Sequence, residues 1–174
     1  KRIYSITKSY FDADRTVGVI VPYRNQIAMI RKEISKLGIP DLLNISIDTV
    51  ERYQGSQRDV IIYSFTIHNF SQLNFLTANT FREEEFIIDR KLNVAITRAR
   101  KQLILTGNPD VLTANITFYK LMEYIRQENG FVDIPVNLFC SGDFEISDFS
   151  PAWDIRTDNY ALPDYFKDCY KTFV

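Results

Sequence analysis

The sequence is poor in the side chains that staple small domains together. Its 174 residues include two cysteines, Cys140 and Cys169, and a single histidine, His68. Three such side chains fall short of a four-ligand zinc site, and no other metal site is expected. Two thiols make no disulfide framework, so reduced, buried cysteines are the expectation. A chain of this length needs neither device, because it buries about 70% of the surface that its unfolded form exposes. Also missing is any apolar run near the roughly 20 residues that span a bilayer, which excludes a membrane helix. No apolar stretch follows the basic first residues, as a secretory signal would require, so a cytoplasmic protein without membrane contact is expected. The chain starts with Lys1 instead of methionine, which suggests that it was cut from something longer.

What is present reads as an ordinary globular domain, with 45% apolar and 25% charged residues, a balance that excludes long disorder. The net charge of −1 hides a segregation. Residues 1–130 hold 18 Lys/Arg against 14 Asp/Glu, whereas residues 131–174 hold 3 against 8. A mildly basic body and an acidic tail follow, with too small an excess to mark a nucleic-acid footprint by charge alone.

Residues 17–21 (VGVIV) form a continuous β-branched run, the pattern of a strand covered on both faces. Pro22 stops it. From Gln26, apolar residues Ile27, Ile30, Ile34 and Leu37 recur at helical spacing until Gly38 and Pro40. Residues 45–50 read as a second strand and 60–65 (VIIYSF) as a third, with a polar turn over 52–59. The polar stretch after His68, up to Glu85, reads as a loop or short insertion. The spacing of Leu92, Ile96 and Ala99 predicts a helix over 89–100, followed by a strand at 102–106 (QLILT). Phe118, Leu121, Met122 and Ile125 mark a last helix ending near Asn129 and Gly130. Strands alternating with helices argue an α/β domain over residues 1–130, built on a parallel sheet. The tail reads as irregular structure packed on it, closed by an amphipathic helix through Leu162, Phe166, Cys169, Tyr170 and Phe173.

Open α/β sheets hold ligands at the carboxyl ends of their strands, so polar segments after apolar runs are informative. Three carry arginine: Pro22-Tyr23-Arg24-Asn25-Gln26, TVERYQGSQRD at 49–59, and the segment holding Arg98 and Arg100. Taken singly, these suit a helix start, a turn around Gly55 and a solvated helix face. Taken together, they are expected to converge at one rim of the sheet.

In order along the chain, VGVIVPYRNQ resembles motif IV, ISIDTVERYQGSQRDVIIYSF motif V, and DRKLNVAITRARKQLILTGNP motif VI of superfamily 1 helicases. The branch is the one that includes the nonsense-mediated-decay helicase and its DNA-acting relatives. The resemblance implies the second RecA-like domain of a two-domain motor. It implies that Arg98 is an arginine finger for ATP, since an always-ionised planar guanidinium fits the oxygens of a transferring phosphoryl group. Gln54 and Gly55 then bring their loop close to the nucleotide, with Arg100 nearby. Gln57 stands where these relatives carry a glutamate for a ribose hydroxyl, and it keeps hydrogen-bonding capacity but no charge. Thr49 and Val50, with Pro22, Tyr23 and Arg24, correspond to contacts with single-stranded DNA or RNA.

The chain contains no G-x-x-x-x-G-K-[ST] phosphate loop and no Asp-Glu pair after an apolar strand. The resemblance therefore assigns ATP and Mg²⁺ mainly to a first RecA-like domain of the same protein, which makes that domain the implied partner. The competing readings are a helicase-like binding or regulatory module without catalysis, and a flavodoxin-like or receiver domain. The last would show an acidic cluster or a phosphate loop after its strands, and neither is found.

Overall fold

The computed structural model describes residues 1–53, 56–83 and 86–132. Four strands, β1 (Val17–Val21), β2 (Ser46–Thr49), β3 (Arg58–Ser64) and β6 (Ala99–Thr106), form a parallel sheet in the order β2-β1-β3-β6. Residues 17–21 are buried throughout, as expected for a central strand covered on both faces.

Alternation along these strands splits the core into two layers. Val17, Val19 and Val21 of β1, with Ile47 and Val60, pack beneath α1 (Arg2–Thr7), α2 (Arg24–Ser35) and α3 (Pro40–Leu43). Ile27, Ile30 and Ile34 supply the inward stripe of α2, and Gly38, in the left-handed region at φ 64°, ends its last turn. Ile20, Ile61 and Tyr63 face the other layer. There they meet α4 (Phe70–Leu76), α5 (Arg90–Ile96), α6 (Pro109–Leu112) and α7 (Ile116–Gln127). The α/β architecture is the RecA-like one, a parallel sheet flanked by helices.

Four local expectations change. The second strand stops at Thr49, and Val50–Tyr53 turns into a 3-10 helix, because Val50 and Tyr53 are buried against the sheet and pull the chain back across it. The polar stretch after His68 is largely ordered. Asn69 caps α4 by accepting from the Gln72 N–H at 2.9 Å, Leu73 and Leu76 bury its inner side, and β4 (Thr80–Glu83) pairs antiparallel with β5 (Phe86–Asp89). The expected helix over 89–100 is shorter. Asp89 is its cap and Ile96 its last residue, because the chain then exchanges helical bonds for sheet pairing, with Ala99 opposite Arg58. Arg98 therefore sits in the turn between helix and strand, and Arg100 lies on β6 instead of a helix face. The last helix ends near Asn129, which has φ 56°, as the sequence spacing predicted. Phe131 and Val132 are described, whereas the expected closing helix lies outside the described residues.

Candidate functional site

At the amino edge of the sheet, β3 and β6 start side by side and bring three of the expected residues together. The Gln57 side-chain amide donates to the Thr97 carbonyl at 3.4 Å, and its oxygen accepts from Arg100 Nε at 3.5 Å. The Arg58 N–H donates to the Arg98 carbonyl at 2.9 Å, clamping the two segments. Arg98 Nε donates to the Val94 carbonyl and to Thr97 Oγ1, both at 3.2 Å. Its base is thereby tied to the end of α5, and its two terminal nitrogens make no hydrogen bond among the described residues. Gln57 explains its own departure from glutamate here: it donates to one neighbour and accepts from another, whereas a carboxylate could only accept.

The cluster of Arg98, Arg100 and Gln57 offers hydrogen-bond donors and positive charge, and among the described residues no carboxylate pairs with either arginine. Such a set fits the oxygens of a polyphosphate and not a cation. Among the described residues no group of three His, Cys, Asp or Glu side chains is placed to hold a metal. Gln54 and Gly55 lie outside the described residues.

The carboxyl edge holds the second group. Val21 of β1 stands opposite Thr49 of β2, so Pro22, Tyr23 and Arg24 emerge beside Thr49 and Val50. Arg24 is exposed, whereas the side chains of Thr49 and Val50 are buried, which leaves Val50 only its backbone to present. Gln26 accepts from the Tyr23 backbone N–H at 3.4 Å, and its amide bonds the Thr66 hydroxyl. Thr66 has φ 42°, a costly backbone state for a β-branched residue, held at the end of β3. The Tyr23 ring stacks on Phe75 of α4, with centroids 5.5 Å apart at 19°. Lys91 Nζ lies 5.0 Å from the Phe75 centroid and 3.5 Å from Glu51. Burial pushes the Glu51 carboxyl up, but its own backbone N–H, the Thr49 hydroxyl and Lys91 outweigh that and hold it below its ordinary range.

The three segments do not converge at one rim. Pro22, Tyr23, Arg24, Thr49 and Val50 gather at one edge, and Gln57, Arg98 and Arg100 gather at the other. Six residue steps of β3, at roughly 3.3 Å each, separate the edges by about 20 Å. The reason is the 3-10 turn: between Thr49 and Gln57 the chain leaves the carboxyl edge at the end of β2, folds back over the sheet through Tyr53, and reaches the amino edge at the start of β3. Sequence reasoning missed Phe75 because its helix was hidden in a polar stretch. The Asn69 cap and the leucines at 73 and 76 were the available signal. Among the described residues no helix is long and apolar enough to cross a membrane.

The parallel α/β sheet flanked by helices is a RecA-like domain, with the arginine and glutamine cluster at one edge and a separate polar and aromatic group at the other. Comparison with known proteins agrees: residues 1–110 match the AAA domain family. The chain is 33% identical to the putative helicase MOV-10 of Gallus gallus over 126 residues, covering 70% of this chain and 13% of that protein. It is 32% identical to the DNA replication ATP-dependent helicase/nuclease DNA2 of Xenopus laevis over 139 residues, 78% of this chain and 12% of the relative. It is 34% identical to the RNA helicase Mov10l1 of Homo sapiens over 113 residues, 62% of this chain and 8% of that protein. The chain belongs to the superfamily 1 helicases, in the nonsense-mediated-decay helicase-like branch, and it spans no more than 13% of these three relatives' length.

Proposed function

We propose that residues 1–130 form the second RecA-like domain of an ATP-dependent nucleic-acid helicase or translocase, with residues 131–174 as its acidic extension. Its amino edge meets ATP held mainly by the first RecA-like domain of the same protein. Arg98 then delivers its guanidinium to the γ-phosphate, Gln57 and Arg100 flank it, and the Gln54-Gly55 loop approaches the nucleotide closely. The carboxyl edge, through Pro22, Tyr23, Arg24, Thr49 and the backbone at Val50, forms part of the track for a single strand. Nucleotide binding closes the cleft between the two domains, and hydrolysis passes the γ-phosphoryl group of ATP to water. The chain's own residues orient it and neutralise the charge that spreads over its oxygens. Both kinds of nucleic-acid helicase occur among the named relatives, so DNA and RNA remain alternative tracks.

The observation that carries this reading is the tether on Arg98. Its Nε is fixed to the end of α5 and its outer nitrogens are unpaired among the described residues, which is how a group aimed at an incoming anion is held. The test places Arg98→Ala and Arg98→Lys in a protein that joins this chain to its first domain. Arg98→Ala is expected to lower single-strand-stimulated kcat by a factor of about 10³ or more, with ATP affinity much less affected. Lysine rescues little, because it keeps the charge but loses the planar fork. An ordinary solvated arginine predicts a change within about 0.5 kcal/mol and near-normal turnover. That outcome in a folded protein would leave the alternative, a helicase-like binding or regulatory module.

A further inference from the structure

Helix α4 already has an inner side in Leu73 and Leu76, both buried, and it does not need Phe75 for packing. Phe75 instead remains 54% exposed, against the ring of Tyr23 at the carboxyl edge. Leaving an aromatic ring in water forgoes burial that the side chain could gain elsewhere. The pair is also held in place. Tyr23 is the cap position of α2, where Gln26 bonds its backbone and ties that turn to Thr66 at the end of β3. Lys91 approaches the Phe75 ring from α5.

Charge at this edge is close to balanced. Lys91 pairs with Glu51 at 3.5 Å and Arg52 with Asp48 at 3.8 Å, and Arg24 is exposed beside the stack with no ion pair among the described residues. A nearly neutral edge with an exposed phenylalanine stacked on a half-buried tyrosine favours π-faces over phosphates. Every nucleobase has such a face, so stacking binds single strands without reading their sequence.

We infer that Phe75, braced by Tyr23, is a stacking platform for an unpaired base of the single strand. The inference rests on the carboxyl edge being the strand-binding side and adds a contact from outside the helicase motifs. It makes base contact, and not only backbone contact, part of how this domain grips its track.

The test is fluorescence anisotropy of the 174-residue chain with two short labelled strands of equal length, an oligothymidylate and its abasic counterpart, repeated with oligouridylate. Phe75→Ala is expected to weaken binding of the base-bearing strands by about 5-fold or more. It should leave the abasic strand and the slope of affinity against salt unchanged, because no phosphate contact is lost. Phe75→Trp keeps the platform and should bind base-bearing strands at least as well as the native chain. Circular dichroism on each variant confirms that the comparison is between folded proteins. Equal affinity of Phe75→Ala and native chain for base-bearing strands would overturn the inference while leaving the strand-binding edge in place. So would an equal loss on the abasic strand, which would make Phe75 a brace for Tyr23 or a contact for protein. If the native chain binds none of the strands, the assignment of this edge to nucleic acid falls with it.

Discussion

Gly18 shows how one missing side chain decides the course of motif V. The Tyr53 hydroxyl crosses above it to donate to the Ser46 carbonyl at 2.9 Å, and a Cβ on Gly18 would overlap that hydroxyl. This crossing lets the chain leave β2 at one edge and enter β3 at the other. Gly18→Ala is expected to destabilise the domain by about 2–3 kcal/mol, combining an overpacked site with a lost hydrogen bond. Tyr53→Phe removes the overlapping atom, so the double variant should lose less than the sum of the two single changes. Denaturant unfolding of all four proteins checks the cycle, and strict additivity would count against a direct clash.

Element α5 links the two edges, and its cap is unusual. Asp89 is 2% exposed and accepts from the Leu92 N–H at 3.0 Å, while its second oxygen and the neighbouring Tyr63 hydroxyl have no hydrogen-bond partner among the described residues. Burial pushes the Asp89 carboxyl above its ordinary range, against the pull of the Leu92 and Lys91 N–H groups and the Lys91 charge. Burial likewise pushes the Tyr63 hydroxyl up, with Asp89 adding to it. The folded state therefore holds the Asp89 proton more tightly than the unfolded chain does. This contribution to stability is complete below the unfolded value and is lost as pH rises through the folded one. Asp89→Asn keeps the cap oxygen without the buried charge, so it should match or exceed native stability at neutral pH. Its advantage should shrink as pH falls through the upper carboxylate range. Asp89→Ala loses the cap and should cost about 1 kcal/mol. Urea titrations at neutral and acidic pH measure both, and a pH-independent difference between Asn and native proteins would contradict the argument.

For the molecule as a whole, the two edges form one arrangement with a division of labour. The donors of Gln57, Arg98 and Arg100 gather at one edge and the polar and aromatic groups at the other, so under the proposed function nucleotide and strand are engaged on opposite sides. The chain alone should not turn over ATP above background, since it carries no phosphate loop and no acidic pair for magnesium. Steady-state phosphate release from the pure chain, with and without single strands, checks this. Stimulated turnover would mean that the catalytic parts are not divided between two domains.

Much of the architecture was legible in the sequence because burial writes itself into periodicity. The run at 17–21 and the stripe of Ile27, Ile30 and Ile34 specified a covered strand and the helix packed on it. The motif strings single out Arg98, Gln57, Tyr23 and Thr49 as candidates, and the fold places them at the ends of strands. The polar stretch after His68 was less legible, because short amphipathic elements such as α4 carry few apolar residues to count. Which edge each candidate occupies was decided only by tertiary structure. Strand direction and the backward fold through Tyr53 depend on Gly18 meeting a residue 35 positions later, and no local pattern encodes that distance. The stack of Tyr23 on Phe75 has the same origin. Sequence determines what each segment buries, and long-range packing determines which segments then face the same solvent.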